Sequence, residues 1–186
     1  MSIVEKVKTL MVIIGILSIC LLFTSCSREY SSNDEEDYEA YVSEVNNAEL
    51  YMPKLDEIGE YENILVTRKT PNDIFISTTD AVALIVQYDE AQYIVEMLKI
   101  KAKYEFVPEG GGFVTDVDAA IGNFSFKVVD DIDFYGFSDS VLMGYQLLII
   151  GFDDVNYKVA YLYHWDHSNG EIESLDRFIK NKYVLD

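Results

Sequence analysis

The chain is poor in cysteine, histidine and basic residues, and each shortage removes a class of function. Its 2 cysteines, Cys20 and Cys26, both fall near the start. No disulfide can staple the remainder, so the fold must rest on its apolar core. The 2 histidines, His164 and His167, leave few ligands for zinc, which wants three or four donors in fixed geometry. Lys and Arg number 14 against 33 Asp and Glu, a formal net charge of −19. Nucleic acid is held by clusters of cations that displace counterions, so no nucleic-acid partner is expected. The same charge repels anionic lipid headgroups and suits a basic protein or divalent cations. No Gly-x-Ser-x-Gly elbow occurs. Gly110, Gly111 and Gly112 lack the Lys and Ser or Thr of a phosphate loop and read as a plain connection.

What is present begins at the first residues. Lys6 and Lys8 precede a stretch without charge from Thr9 to Ser27, almost wholly apolar from Leu10 to Phe23. An export signal needs roughly 7–15 apolar residues and a bilayer-spanning helix about 20, and this run is of the shorter kind. The small residues Thr24 and Ser25 then stand directly before Cys26.

Leu22-Phe23-Thr24-Ser25-Cys26 resembles the lipobox of bacterial lipoproteins, with Phe23 where that family usually carries Leu. The resemblance implies that residues 1–25 are a signal peptide, cut away before Cys26. It further implies a diacylglyceryl group on the Cys26 thiol, acylation of the new N-terminus, and attachment to the extracytoplasmic face of the cell membrane. Each buried methylene contributes ~0.8 kcal/mol, and two or more acyl chains make such attachment stable. An ordinary cleaved signal and an uncleaved membrane anchor are the alternatives. Lipidation alone also accounts for the cysteine.

From residue 26 to 37 the chain is polar and acidic without apolar periodicity, which predicts a flexible tether behind the lipid. Residues 38–186 then form one α+β domain. Tyr38, Tyr41, Val42 and Val45 predict a helix from 38 to 50, ended by Pro53, and residues 55–59 one more turn closed by Gly59. Short β-branched runs predict strands at 64–68 and 74–77, with turn chemistry at 69–73. The unbroken apolar run from Ala81 to Tyr88 predicts a strand covered on both faces. Asp89 reads as the cap of a helix whose apolar stripe is Ala91, Ile94, Val95, Leu98 and Ala102. Phe124 to Val129 alternates as a strand, and residues 144–152 and 157–165 form two long strands joined by hairpin residues Asp153 to Asn156. A last helix spans 171–183 with Ile172, Leu175, Phe178 and Ile179 inward. The expected architecture is a mostly antiparallel sheet with two or three helices packed on one face, helices 89–104 and 171–183 among them.

Residues 52–59, 88–90, 103–106 and 159–163 are loosely similar to segments of small uncharacterised lipoproteins from Gram-positive bacteria. That resemblance implies no activity.

Tyr163-His164-Trp165-Asp166-His167 is the densest group of metal-ligand types. On a strand His164 and Asp166 point to one face, and His167 in the following turn completes a candidate metal site. The alternative is a polar cap on the end of a solvent-edged strand. Asp166 to Glu171 hints at a calcium loop, but its glycine is fifth rather than sixth. Asp116 with Asp118, Asp130 with Asp131 and Asp133, and Asp153 with Asp154 are turn-like carboxylates, and no glycosidase-type pair stands out. Tyr135, Tyr145, Tyr157, Tyr161 and Tyr163 suit sheet packing or exposed recognition of peptide or carbohydrate. The expectation is a membrane-anchored, non-enzymatic binding module without a cofactor, engaging a basic protein or an envelope component. An immunity or inhibitor protein is one version. The competing expectation is a metal-binding or metal-dependent lipoprotein using His164, Asp166 and His167.

Overall fold

A computed structural model of the chain describes residues 28–70, 79–108, 118–130, 145–166, 174–183 and 185. The expected signal peptide at 1–25 and Cys26, the predicted strand at 74–77 and the glycine run at 110–112 lie outside these residues. So do Asp116, Asp131, Asp133, Tyr135, His167 and Ile172. Among the described residues no helix is long and apolar enough to cross a membrane.

Among the described residues seven strands form one antiparallel sheet: β1 (Arg28–Ser32), β2 (Asn63–Thr70), β3 (Thr79–Gln87), β4 (Asp118–Ile121), β5 (Phe124–Val128), β6 (Tyr145–Asp153) and β7 (Lys158–Asp166). Their order across the sheet is β1-β2-β3-β7-β6-β5-β4. Among the described residues four helices accompany them: α1 (Glu35–Glu44), α2 (Ala48–Tyr51), α3 (Glu90–Lys103) and α4 (Leu175–Lys182). The class is α+β with more strand than helix, and the helices are small.

The interior strands explain their own composition. β3 lies between β2 and β7, and Ala81 through Val86 are all buried. Alternate residues enter two separate cores. Val82, Leu84 and Val86 join Ile64, Val66, Leu148, Ile150, Tyr161 and Tyr163 on one face. Ala81, Ala83 and Ile85 join Leu147, Ile149, Ala160, Leu162 and Phe126 on the other. Each large side chain so buried contributes about 1.5–3 kcal/mol.

The expectation of helices on one face is overturned. Tyr38, Val45, Ala48, Met52, Tyr93 and Ile100, from α1 to α3, cover the first core. Leu175 and Ile179 of α4, with Tyr183, cover the second. Strands apolar on both sides need a lid on both sides, and helical periodicity cannot say which side a given helix takes.

From Arg28 onward the expected tether is structured. β1 pairs with β2 from Arg28 opposite Thr70 to Ser32 opposite Val66. An edge strand needs backbone hydrogen bonds on one side only, so polar side chains did not bar it from the sheet. The acidic run that follows opens α1: the Asp34 carboxylate accepts from the Glu36 N–H at 2.9 Å. Glu35, Glu36 and Asp37 sit in the first turn, where the helix dipole favours anions. The predicted helix 38–50 is broken at Asn47, whose φ of 60° starts α2. Residues 55–57 form a turn rather than a helix.

The β6–β7 hairpin agrees with its sequence chemistry. The Asp153 carboxylate accepts from the N–H groups of Val155 at 3.0 Å and Asn156 at 2.9 Å, and from the Asn156 side chain at 2.8 Å. Tyr157 takes the left-handed conformation, φ 54°. Asp153 is thus committed to holding the turn.

Candidate functional site

Helix α3 carries the two features that invite function, one on each side. Asp89 caps it, its carboxylate accepting from the Gln92 N–H at 2.8 Å. Lys101 and Lys103 lie in the last turn, complementing the dipole. The side turned to the sheet is not the stripe expected from apolar periodicity. Tyr93, Glu96 and Ile100 are buried and Met97 packs beside them, whereas Ile94 is 45% exposed, Val95 46% and Leu98 60%. Ala91 and Ala102 are exposed as well. The helix is apolar on two faces, and the sheet took the larger side chains. Tyr93 adds a directional contact: its hydroxyl donates to Asp154 in the β6–β7 turn, and its ring lies 5.8 Å from that of Tyr157. The expected stripe is therefore an outward surface.

On the inner side Glu96 forms part of the wall of a cleft of about 480 Å³. Pro53, Ile58, Ile100, Lys103, Tyr104 and Tyr161 complete much of that wall. Glu96 is nearly buried, yet its carboxylate accepts from Lys99 Nζ at 3.1 Å and from the Tyr161 hydroxyl at 3.4 Å. Burial, with Tyr88 and Glu96 nearby, pushes the Tyr161 phenol well above its usual range. Burial likewise raises Tyr88. Both phenols stay protonated at ordinary pH, and Tyr161 acts here as a hydrogen-bond donor and part of the cleft wall. The Tyr88 oxygen is buried without a hydrogen-bond partner among the described residues. At the mouth, Lys103 pairs with Glu57 at 3.3 Å. Glu96 was legible only as a residue off the apolar stripe; the spacing of Tyr93, Glu96, Met97 and Ile100 is the signal that reveals the inner face.

Two of the three predicted metal ligands come together. His164 and Asp166 point to the same face of β7, with His164 Nε2 3.7 Å from Asp166 Oδ2. The strand is central, between β3 and β6, not solvent-edged. His164 is fully buried, opposite Ala81 and Leu147, and the edge of its ring meets Phe178 of α4 at 4.7 Å between centroids. Burial lowers the imidazole below its ordinary value; the Asp166 carboxylate opposes this and Lys182 adds to it. His167 lies outside the described residues. Among the described residues no group of three His, Cys, Asp or Glu is placed to hold a metal.

Comparison of the chain with protein-family models, with curated proteins and with solved structures gave no match.

Proposed function

We propose that the chain is an acidic interaction module, acylated on Cys26, held at the extracytoplasmic face of the cell membrane and working by binding rather than catalysis. The anchor is supported by Lys6, Lys8, the apolar run to Phe23 and the sequence Leu22 to Cys26. The observation that carries the binding role is the outward face of α3. Ile94, Val95 and Leu98 form an exposed apolar row on a capped helix, flanked by exposed Ala91 and Ala102. Single exposed apolar residues are ordinary, but a contiguous row marks a contact surface, and a helix presenting one suits helix-in-groove or helix-on-helix recognition. Because β1 begins at Arg28, the folded body follows the anchor almost at once.

Two measurements test the proposal. Metabolic labelling with an alkynyl fatty acid should mark the wild-type chain and leave Cys26→Ala unmarked. The wild-type protein, immobilised and exposed to envelope extract, should retain a partner that Leu98→Asp releases. A partner held equally by both forms would move the contact away from α3. Stoichiometric zinc or calcium in the purified protein, lost in His164→Ala and His167→Ala, would favour the metal-dependent reading instead.

A further inference from the structure

We propose that the partner of the outer face of α3 is a second copy of this chain, packed antiparallel about a two-fold axis at the middle of the helix. This rests on α3 being the contact surface and adds the identity of what covers it.

The exposed face is self-complementary when turned end for end. An axis passing between Glu96 and Met97 sets Ala91 opposite Ala102 of the other copy, and Val95 opposite Leu98. The small residues stand at both ends of the row and the large ones at its centre. Ile94, Val95 and Leu98 then interdigitate around the axis and set the helix separation, and the small residues at the ends let the helices cross without a clash. This is an isologous contact, in which the same patch serves both sides.

Charge selects the direction. Asp89 and Glu90 mark the start of α3, and Lys99, Lys101 and Lys103 its end. A parallel pair would stack acid on acid and lysine on lysine. The antiparallel pair sets the acidic start of each helix beside the basic end of the other and opposes the two helix dipoles. Glu90 and Lys101 are three turns apart and fall on the same flank of the row, the flank shared with its own counterpart in an antiparallel pair. Lys99 and Lys103 are already engaged within the chain, by Glu96 and Glu57. Among the described residues Lys101 meets only the face of Phe152, 5.6 Å from its ammonium. In a chain of net charge −19, this is a surface on which a second copy meets cations rather than more acid.

The area sets the strength. A helix of 14 residues is about 21 Å long, and one face of it buries less than the roughly 800 Å² per partner of a standard interface. The pair is weak in dilute solution and gains from confinement of both copies to one membrane.

The test uses the full chain in its own membrane. Ala91→Cys and Ala102→Cys chains are produced separately and together, then treated with copper phenanthroline; the wild-type chain measures any background from Cys20 and Cys26. Made together, the two variants should yield a disulfide-linked species of twice the chain mass. Each made alone should yield about tenfold less, because like positions lie roughly 16 Å apart along the axis, beyond disulfide reach. Leu98→Asp in both chains should lower the mixed species by about tenfold or more. Absence of the linked species from the mixture would overturn the proposal, as would equal linkage of Ala91→Cys alone. If the mixture fails while Leu98→Asp still releases an envelope partner, α3 remains the contact surface and only the second copy falls. If both fail, the contact surface falls with it.

Discussion

Gly151 faces Phe126 across the β5–β6 ladder, and the Phe126 ring occupies the space a Cβ at 151 would need. Phe126 is fully buried among Ile149, Leu162 and their neighbours, so it cannot swing aside into solvent. The glycine is a packing requirement of the second core. Gly151→Ala should destabilise the fold by about 1–3 kcal/mol, the usual cost of overpacking, with urea denaturation as the readout. Phe126→Leu in the same chain should recover part of that loss, since the two sites share one space.

The orientation of α3 gives an opposed pair of substitutions. Ile100 is 3% exposed and faces the sheet, so Ile100→Ala should cost about 2–5 kcal/mol. Leu98→Asp should leave stability within about 0.5 kcal/mol. If the apolar stripe faced the sheet, the order would reverse, and a thermal melt of the two variants separates the cases.

Glu96 and Tyr161 should behave as a coupled pair. Glu96→Ala takes the acceptor from a buried hydroxyl and should cost about 1–3 kcal/mol. Tyr161→Phe in the Glu96→Ala background should cost less than in the wild type, because the donor it removes is already without its acceptor. A double-mutant cycle on unfolding free energies measures the difference; strict additivity would mean that the two groups do not interact.

Stability should fall on mild acidification through His164. Its folded imidazole titrates below the ordinary 6.5, because burial opposes the charge and Asp166 only partly compensates. Above that value neither the folded nor the unfolded form is charged, and the stabilisation from keeping the ring neutral is fully present. As pH drops below it, the unfolded chain takes up the proton first and stability declines toward the lower folded value. His164→Leu should flatten the stability–pH curve in that window. An unchanged slope would place the titrating group elsewhere.

Much of the sheet was legible, and what was missed has physical causes. The runs of β3, β6 and β7 declared themselves because a central strand is apolar on both faces, and Asp153 with Asn156 announced the hairpin. The pairing of His164 with Asp166 on one face followed from the two-residue period of a strand. β1 was hidden because Arg28 to Ser32 is paid for by backbone pairing at an edge and carries no apolar signature. β4 is short, and its sign was the Gly122-Asn123 turn, where Gly122 has φ 59°. α3 misled because it has two apolar faces, and counting aliphatic residues favoured Ile94, Val95 and Leu98 over Tyr93, Met97 and Ile100. Large amphipathic side chains bury more area, and tyrosine brings a hydroxyl that finds a partner. The cleft beside Glu96 depends on where residues 53–58 settle against α3, which no local pattern encodes.

The strand order divides the sheet along a seam. β1, β2 and β3 pair with their neighbours in sequence, β4 to β7 do likewise, and among the described strands the two groups pair only where β3 lies along β7, Thr79 opposite Asp166 through Gln87 opposite Lys158. These partners are on the order of eighty residues apart, so this ladder requires the largest loop closure in the sheet. Folding should therefore end with the closing of that seam, on the millisecond-to-second scale of proteins with distant strand pairings. Until it closes, Ala81 to Val86 present a bare apolar strand edge, the segment through which one half-folded chain would most readily join another.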